Sequence, residues 1–525
     1  MFVERFVRFC ILVFFAVTIG AAICLAQPQL PLNAVSNAAS YTSDVAQGSI
    51  FVIFGTGLGP AKLVQASSFP LSTNLSGTSI KVQIGSAAVD AIPIYTSSTQ
   101  VAAMLPSNTP VGNGFITVSY NGSTSNSAAI HVVTNSFGVF TAGANGSGPA
   151  SLQNFKSASD VPLNTLLGSA VPGQTVILWG TGLGPVTGNE TNGALPGNLT
   201  TDVQVFVGSK SAAVSYAGRS GCCAGVDQVN FTVPQGIEGC FVPVVVRSGG
   251  VISNFTTMSI ASGGEACSDP LSFLPPDLAQ ISQAGFLRRG QIALTRVVSG
   301  AATMDSFTAT FAKNTLASVL TTVVAPSLGT CLVTRTQALG NIPGLTNPLD
   351  AGSALNIKGP AGSKAVVRAS TGSYSANPGA GFLDLGAFTV DNGTGGSDIG
   401  SFKATLTIPA MAQWTNQAAI STVARNQPIT LQWTGGDASG GVVIIGAAQS
   451  PLDGSIRAFT CNERTSAGQF TVPDYVISAM PFNTGVTNMV LSLGSFGQNV
   501  RFAANGLDIG TFNYGASFGK LVTVQ

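Results

Sequence analysis

Short apolar runs alternate with turn-forming residues along most of this 525-residue chain. Two of the runs, Ser49–Phe54 and Gln174–Trp179, end in the same hexapeptide, Gly-Thr-Gly-Leu-Gly-Pro, at Gly55–Pro60 and at Gly180–Pro185. Short apolar segments bounded by Gly, Pro, Asn and Ser are typical of β-strands. Because a pattern repeated at a fixed spacing indicates a duplicated structural unit, the sequence predicts two similar β domains in succession.

The similarity between the two copies continues beyond the hexapeptide. Val82–Val89 and Val205–Val214 each contain an apolar strand followed by a glycine turn. Gln100–Pro106 and Gln228–Pro234 share the pattern Gln-Val-x-x-x-x-Pro. Short strands at this spacing, with Pro or Gly between most pairs, favour a β-sandwich.

This combination of motifs resembles a known family. The string Ile-Phe-Gly-Thr-Gly-Leu-Gly-Pro, followed by Ile-Gly-Ser and then Gln-Val-x-x-x-x-Pro, resembles the IPT/TIG immunoglobulin-like domain. With Asn33–Tyr41 ahead of it, the string is similar to the Solibacter-type module of exported acidobacterial proteins. The resemblance covers roughly residues 30–262 and implies an immunoglobulin-like fold and export, but no activity. The second copy departs from the pattern by inserting Arg219–Ala224.

The expected fold class is therefore all-β, with tandem immunoglobulin-like β-sandwiches followed by a C-terminal β-sandwich region. Residues 270–525 do not repeat the motif, but they again alternate strands and turns. The predicted segments are a signal peptide at 1–26, IPT/TIG-like sandwiches at 27–140 and 141–268, a linker or short helix at 269–290, and β-sandwich units at 291–410 and 411–525. The last two are either successive or one intertwined unit.

The N-terminus predicts export. Arg5 and Arg8 precede the apolar run Phe9–Ala26, which is typical of a secretory signal peptide with cleavage after Ala26. A retained signal anchor is the alternative, and a lipoprotein fits less well because Ile23 precedes Cys24. After residue 26 no apolar run approaches the ~20 residues of a membrane-spanning helix. We therefore expect a secreted, periplasmic or cell-surface protein with no membrane span after signal removal.

Charge is scarce and balanced. Charged residues make up 8% of the chain, and the formal net charge is +1. A chain near neutrality lacks the basic surface that nucleic acid or anionic lipid requires. The sequence therefore argues against nucleic-acid partners and favours contact with neutral surfaces.

Cysteine usage agrees with export. Without the two cysteines of the signal segment, Cys10 and Cys24, an even number remains, which in an exported protein indicates disulfides. Cys331 and Cys461 are predicted to pair because they are the only two in the C-terminal half. The adjacent Cys222 and Cys223 are expected to bond to separate partners, Cys240 and Cys267. A redox or metal role for that cluster of four is the alternative.

The glycine hexapeptides do not predict nucleotide binding. A dinucleotide fingerprint needs Gly-x-Gly-x-x-Gly opening a helix, whereas both copies continue into Gly-Pro and no amphipathic helix follows. We predict instead that the glycines form structural turns where a strand ends. These are Gly55, Gly57, Gly59, Gly180, Gly182 and Gly184.

Other motifs give weak support for catalysis. Gly515–Gly519 matches Gly-x-Ser-x-Gly, but neither an acid nor a histidine follows it as an α/β-hydrolase requires. The sole histidine, His131, lies in an alternating strand and cannot build a His-rich metal site alone. Asp391, Asn392 and Asp398 are a calcium candidate because oxygen ligands are common in extracellular loops. A solvated hairpin turn is the alternative, and no cofactor other than calcium is expected.

The sequence favours an exported, non-enzymatic scaffold or binding protein that contacts polysaccharide or another cell-surface protein. The alternative is a carbohydrate-active enzyme with an unidentified pair of acids in the C-terminal half, since glycosidases use two carboxylates.

Overall fold

The computed structural model describes residues 27–271, 273–300, 302–321, 325–336, 346–450, 454–481, 487–497 and 499–525. The predicted signal peptide, residues 1–26, lies outside the described residues. The protein is all-β, with strands throughout and a few short helices. The helices are α1 (Pro275–Ala284), α2 (Leu316–Thr321) and α3 (Asp474–Ser478), with single 3-10 turns at Glu190–Asn192, Gln417–Ala419 and Thr465–Ala467.

The first repeat is a β-sandwich whose two halves share one strand. Its strands are β1 (Val35–Asn37), β2 (Asp44–Ala46), β3 (Ile50–Phe54), β4 (Val64–Gln65), β5 (Asn74–Leu75), β6 (Thr78–Ile84), β7 (Ala87–Thr96), β8 (Gln100–Met104), β9 (Gly112–Tyr120), β10 (Ser123–Thr124) and β11 (Ala128–Val133). The strand order is β1-β3-β8-β7-β6-β9-β11-β2. The first part of strand β7, up to Ala91, pairs with β6, and the second part, from Ile92, pairs with β8 with a register shift between Pro93 and Tyr95. Alternate residues of β6, such as Ile80 and Val82, are buried in the core between the halves.

The second repeat keeps this arrangement in two separate sheets. Its strands are β12 (Gly138–Val139), β13 (Leu152–Asn154), β14 (Thr175–Thr181), β15 (Gly197–Asn198), β16 (Val203–Val207), β17 (Lys210–Ala212), β18 (Val214–Arg219), β19 (Asp227–Thr232), β20 (Gly239–Ser248), β21 (Val251–Ile252) and β22 (Thr256–Ile260). The sheets run β12-β14-β19-β18-β15 and β17-β16-β20-β21. The run β14-β19-β18 matches β3-β8-β7 of the first repeat, and β16-β20 matches β6-β9. The two copies therefore share a topology as well as a motif.

The predicted linker contains a packed helix. Helix α1 begins at Pro275, and the Asp277 side chain accepts a hydrogen bond from the Leu274 amide over 2.8 Å. The helix ends at Gly285, whose φ of 73° is left-handed and favours glycine. Leu278 and Ile281 are buried in a small core, so this segment is a structural part of the molecule.

The C-terminal region is built on one large sheet and one three-stranded sheet. Its strands are β23 (Phe286–Ser299), β24 (Ala302–Thr315), β25 (Thr330–Thr336), β26 (Thr346–Pro348), β27 (Ala354–Gly359), β28 (Gly362–Ser370), β29 (Ser373–Ala376), β30 (Gly386–Asp391), β31 (Lys403–Ile408), β32 (Ala412–Trp414), β33 (Thr422–Val423), β34 (Ile429–Gly435), β35 (Gly441–Gln449), β36 (Ile456–Arg464), β37 (Gln469–Val472), β38 (Thr487–Phe496), β39 (Val500–Phe502) and β40 (Ile509–Val524). The large sheet runs β25-β36-β35-β38-β40-β23-β24-β29-β28-β27-β30-β31, and the small one is β32-β34-β37.

Two cores form on this framework, and the chain crosses between them. Strand β40 contributes Phe512 and Tyr514 to one core and Val522 and Val524 to the other. Strand β25 lies within the predicted unit 291–410, yet it pairs with β36 of the other unit. The two predicted C-terminal units are therefore interleaved, which is one of the alternatives that the sequence leaves open.

The second repeat packs directly on the C-terminal region. The Tyr475 hydroxyl donates to the Gly208 carbonyl oxygen over 2.6 Å. Its ring stacks on Phe206 with centroids 4.3 Å apart. Phe255 of β21–β22 belongs to the same core as Tyr475. One sheet of the second repeat is thus covered, which leaves the opposite sheet as the candidate surface for binding.

Candidate functional site

The first glycine hexapeptide turns sharply at the end of β3. Gly57 has a φ of 69°, a conformation that L side chains rarely adopt. A Cβ at Gly55 would collide with the carbonyl oxygen of Gln29, and one at Gly59 would collide with the Thr96 hydroxyl. The glycines permit close backbone approach, and the loop packs against protein atoms.

The second hexapeptide makes the equivalent turn after β14. Gly182 and Gly184 have φ values of 105° and 136°. A Cβ at Gly180 would collide with the carbonyl oxygen of Gly138, and one at Gly182 with that of Ser136. This turn lies against the first repeat, which gives it a role that the first hexapeptide lacks.

A buried ionic cluster holds the two repeats together at this turn. Arg219 is fully buried and pairs through Nη1 with Asp227 and through Nε with Glu190 Oε1, the latter at 2.8 Å. Its Nη2 donates to the carbonyl oxygens of Gly48 over 3.0 Å and Gly184 over 3.2 Å. Gly48 belongs to the first repeat, so the guanidinium of the second repeat spans the boundary. We call this cluster and Thr181 the inter-repeat joint.

Burial shifts the pKa of a carboxyl group in the inter-repeat joint. Desolvation raises the pKa of Asp227 to about 6, although Arg219 and the Leu183 amide favour its charged form. Leu183 donates to Asp227 Oδ2 over 2.7 Å. Removing one member of such a cluster leaves an uncompensated buried charge, which is strongly destabilising. The cluster therefore specifies how the two repeats fit together.

Hydrogen bonds between side chains and backbone groups complete the inter-repeat joint. The Thr181 hydroxyl donates to the Gly225 carbonyl oxygen over 2.6 Å and accepts from the Ile50 amide over 2.8 Å. The Gly225 amide donates to Glu190 Oε1 over 3.2 Å. Asn37 of the first repeat donates to the Ser136 carbonyl oxygen over 3.1 Å. These hydrogen bonds connect the two repeats along the boundary between them.

A cleft of about 410 Å³ opens beside the inter-repeat joint. Its lining combines apolar side chains with hydroxyl, amide and carboxylate groups. Its lining residues are Ile92, Met104, Pro106, Ser107, Asn108, Val186, Gly188, Asn189 and Glu190.

The disulfides differ from the expected pairing in the second repeat. The structure bonds Cys222 to Cys223 and Cys240 to Cys267, so the prediction of separate partners for Cys222 and Cys223 is wrong. The physical reason is placement: Cys240 and Cys267 are buried in the core beneath α1, whereas Cys222 and Cys223 lie at the exposed tip of the β18–β19 loop.

In the C-terminal half, the structure joins Cys331 to Cys461 across a sequence separation of 130 residues. The two residues stand directly opposite each other on β25 and β36, with Cα atoms 4.0 Å apart. This disulfide ties the interleaved strand β25 to its neighbour.

The uncovered sheet of the second repeat presents an uncharged, partly aromatic surface. Register places Ile177 opposite Asn230 and Trp179 opposite Gln228, and their side chains are half-buried while the alternate residues fill the core. Tyr216 of β18 stands opposite Asn230 on the other side. We call this surface the outer face, which consists of Gln153, Ile177, Trp179, Tyr216, Gln228 and Asn230.

Hydrogen bonds orient the side chains of the outer face. Trp179 Nε1 donates to Gln153 Oε1 over 2.9 Å, and Gln228 Nε2 donates to Asn230 Oδ1 over 2.9 Å. The Tyr216 hydroxyl donates to the Arg219 carbonyl oxygen, which links the outer face to the inter-repeat joint. Because each ring is held by a partner, the surface is ordered before any ligand arrives.

The calcium candidates make hydrogen bonds within their own loop and to the neighbouring segment at Asp350. Asn392 Oδ1 accepts from the Phe402 amide over 2.7 Å, and Asp398 Oδ2 accepts from the Asp350 amide over 2.7 Å. Asp391 Oδ1 accepts from the Gly393 amide over 3.1 Å. Across the described part of the chain, no three His, Cys, Asp or Glu side chains form a group that could hold a metal ion. Calcium binding through Asp391, Asn392 and Asp398 stays a prediction.

The remaining sequence candidates occupy ordinary strand positions. His131 is exposed on β11, and its Nδ1 lies 2.8 Å from Asp44 Oδ1. Gly515–Gly519 lies within β40. In the C-terminal half, Asp305 binds Arg296 and Asp508 binds Arg288. No described helix is long and apolar enough to cross a membrane.

Sequence reasoning missed the residues that define the inter-repeat joint and the outer face. Arg219, Glu190 and Asp227 carry no motif, and the only signal was the inserted segment of the second copy. Trp179 belongs to a strand that the sequence predicts, whereas Tyr216 lies beyond the predicted Val205–Val214 stretch. The pattern alone does not say which sheet the C-terminal region covers.

Comparison with known proteins identifies the domain family of the first repeat. Residues 34–132 match the family model of the IPT/TIG domain. The first repeat is therefore an IPT/TIG domain, as the resemblance implies. No curated protein matches the chain.

The solved structures that the chain matches share little sequence with it, and their TM-scores are low. SGBP-B from the Bacteroides ovatus mixed-linkage glucan utilization locus, solved with a mixed-linkage heptasaccharide, has 11% identity and a TM-score of 0.14, covering 90% of this chain and 94% of that one. Domains 4–9 of the surface layer protein SbsC have 13% identity and a TM-score of 0.17, covering 92% and 83%. The I9–I11 tandem of titin has 8% identity and a TM-score of 0.13, covering 69% and 94%.

Proposed function

We propose that this chain is an exported, non-enzymatic scaffold of β-sandwich domains that binds a neutral polysaccharide through the outer face. In this proposal the outer face lies on the sheet of the second repeat that the C-terminal region leaves uncovered. The Solibacter-type module remains the proposed closer relative of both repeats.

The outer face is the observation that carries the proposal. A pyranose ring has C–H faces, which pack on aromatic rings such as Trp179, and hydroxyl edges, which hydrogen-bond to amides such as Gln228 and Asn230. None of the six side chains of the outer face carries a formal charge. A charged polymer gains nothing from such a surface, whereas a neutral glycan finds both kinds of contact.

A glycan array probed with residues 27–525 tests the proposal, followed by calorimetric titration of the best ligand. Trp179→Ala should weaken binding at least tenfold in protein that circular dichroism shows to be folded, with a lower melting temperature because a half-buried ring and its hydrogen bond to Gln153 are lost. Phe115→Ala is the matched control because Phe115 is an aromatic residue that is 62% exposed on the first repeat. It should leave the affinity unchanged.

Each other outcome counts against part of the proposal. Binding that survives Trp179→Ala would place the site elsewhere. If the protein binds no neutral glycan on the array, the proposed ligand class is rejected. Cleavage of the bound glycan during the titration would favour the carbohydrate-active enzyme instead.

Export is a separate part of the proposal with its own test. The pairing of Cys222, Cys223, Cys240, Cys267, Cys331 and Cys461 supports an oxidising compartment. N-terminal sequencing of protein recovered outside the cytoplasm should begin at or within a few residues of Gln27. An intact Met1 on a membrane-bound chain would reject removal of residues 1–26.

A further inference from the structure

The three disulfides differ in their access to solvent. Cys222 and Cys223 are exposed, whereas Cys240, Cys267, Cys331 and Cys461 are each at most 1% exposed. Thiol–disulfide exchange requires a thiolate to reach a sulfur atom, so access controls the rate. The Cys222–Cys223 bond is therefore open to reductants that cannot reach the other two.

The exposed disulfide joins two adjacent residues at the tip of a short loop between β18 and β19. The Ser220 amide donates to the Val226 carbonyl oxygen over 2.9 Å at the base of the loop. The Ser220 hydroxyl donates to the Cys223 carbonyl oxygen over 3.1 Å and accepts from the Cys223 amide over 3.3 Å. The Val226 amide also donates to the Cys223 carbonyl oxygen over 3.4 Å, and the disulfide restrains the Cys222–Cys223 peptide among these contacts.

The same loop contributes residues to the inter-repeat joint at its start and near its end. Arg219 lies at the start of the loop and Gly225 near its end, and both bind Glu190. Ala224 packs against Ile92 and Met104 of the first repeat. A change in the loop therefore reaches the contacts between the two repeats within a few residues.

We propose that Cys222–Cys223 is a redox-modification site at which an external dithiol loosens the inter-repeat joint. One thiolate of the dithiol attacks a sulfur of the pair, forming a mixed disulfide and releasing the other cysteine as a thiolate. The second thiol of the dithiol then attacks the mixed disulfide. The dithiol ends as a disulfide, and the protein gains two electrons and two protons as two thiols. This proposal does not rest on glycan binding at the outer face.

Selectivity is tested on the natively oxidised protein covering residues 27–525. The protein is titrated with dithiothreitol, quenched by alkylation and mapped by mass spectrometry. Cys222 and Cys223 should be alkylated at reductant concentrations at least tenfold below those needed for Cys331 and Cys461. Equal reactivity of the three disulfides would overturn the proposal.

Hydrogen–deuterium exchange measures whether reduction loosens the inter-repeat joint. After selective reduction, exchange of the Ile50, Leu183 and Gly225 amides should accelerate at least tenfold. The Ile292 amide in the distant β23–β24 pair should not change. Selective reduction with unchanged exchange at the three joint amides would also overturn the proposal.

Two variants serve as controls for the hydrogen–deuterium exchange measurement. The double variant Cys222→Ser/Cys223→Ser should show the faster exchange permanently and should not respond to dithiothreitol. Thr181→Val removes the hydroxyl that bridges Ile50 and Gly225 while leaving the disulfide intact. It should accelerate exchange at Ile50 without reductant, which shows that the measurement reports on the inter-repeat joint. A double variant with wild-type exchange would contradict the proposal.

Discussion

Arg219 Nη2 of the second repeat donates a hydrogen bond to the Gly48 carbonyl oxygen of the first repeat over 3.0 Å, across 171 positions of sequence. The other nitrogens of the same guanidinium bind Asp227 and Glu190 within the second repeat. Because the guanidinium is planar and its donors are fixed, these contacts restrain the orientation of one repeat relative to the other. Arg219, the first residue of the inserted segment, thus helps to fix the two similar domains as a specific pair.

Replacing Arg219 should destabilise the second repeat strongly. In Arg219→Met, Asp227 and Glu190 are left buried without a counter-charge, and we expect a loss of about 3–5 kcal/mol in the free energy of unfolding. Lys81→Met is the control, because Lys81 and Asp90 form a pair 3.8 Å apart with both side chains about 60% exposed. Exposed pairs contribute about 0–1 kcal/mol. Urea denaturation of both variants distinguishes the two effects, and similar losses would contradict a special role for Arg219.

The strands of the repeats could be predicted from the sequence, whereas the inter-repeat joint could not. Alternating burial in a strand such as β6 is a local property, so it is visible in the order of residues along the chain. The partners of Arg219 depend on how two domains pack, and Gly48 has no side chain to mark it. The departure of the second copy from the repeat pattern was the only sequence signal at this place.

Valine at the central glycine of each hexapeptide should destabilise its own domain. Gly57 and Gly182 have φ values of 69° and 105°, and a Cβ at Gly182 also collides with the Ser136 carbonyl oxygen. A β-branched side chain at such a φ is strained. We expect each variant to lose about 2 kcal/mol or more, with the larger loss for Gly182→Val. Glycan affinity of the folded fraction should be unchanged.

Gly263→Ala is the control for these two variants, since its Cβ would meet open space and its φ is not left-handed. Thermal unfolding should place it within about 0.5 kcal/mol of the wild type. Loss of glycan binding at full stability in Gly57→Val or Gly182→Val would show that a hexapeptide is itself a binding site.

The interleaved C-terminal region shows a different limit of sequence reasoning. Strand β40 pairs in parallel with β23, so that Arg289 lies opposite Ile509. The pattern of each strand is visible in the sequence, but pairing between strands so far apart along the chain is not encoded by a turn or a spacing. Only the two isolated cysteines, Cys331 and Cys461, pointed to a connection between the predicted units.

The pH dependence of stability should differ in sign at two buried carboxylates. Burial raises the pKa of Asp227 to about 6. Burial also acts to raise the pKa of Asp305, but hydrogen bonds from Arg296 and the Leu383 amide outweigh it and hold the pKa below its usual value. Relative to an unfolded pKa of about 3.9, Asp227 contributes stability that is present below about pH 4 and is lost as pH rises through 6. Asp305 contributes stability that is present above about pH 4 and is lost at lower pH.

Urea denaturation from pH 2 to pH 7 measures both contributions as differences between wild type and variant. The stability of wild type minus that of Asp227→Asn should fall as pH rises from about 4 to 6. The corresponding difference for Asp305→Asn should fall as pH drops below about 4. Differences with the same sign of slope would show that one of the two pKa directions is wrong.

Asn392→Asp should separate the structural role of the Asp391–Asp398 loop from a calcium site. Asn392 is 5% exposed, and its Nδ2 donates to the carbonyl oxygens of Ala351 and Gly400 over 3.0 and 3.1 Å. An aspartate cannot donate these bonds and buries a charge, so we expect a loss of about 2–4 kcal/mol. Asp391→Asn, at a more accessible position that retains an acceptor oxygen, should cost less than about 1 kcal/mol.

The effect of added calcium on the melting temperature distinguishes a structural role of the loop from calcium binding. If the loop is held by its own hydrogen bonds, millimolar calcium should leave the melting temperatures of the wild type and Asn392→Asp unchanged, because Asn392 Oδ1 is already bonded to the Phe402 amide. If Asp391, Asn392 and Asp398 ligate calcium, the added carboxylate should strengthen binding, since a hard cation prefers charged oxygen ligands. Calcium would then raise the melting temperature of Asn392→Asp more than that of the wild type, and the loop would be a metal site after all.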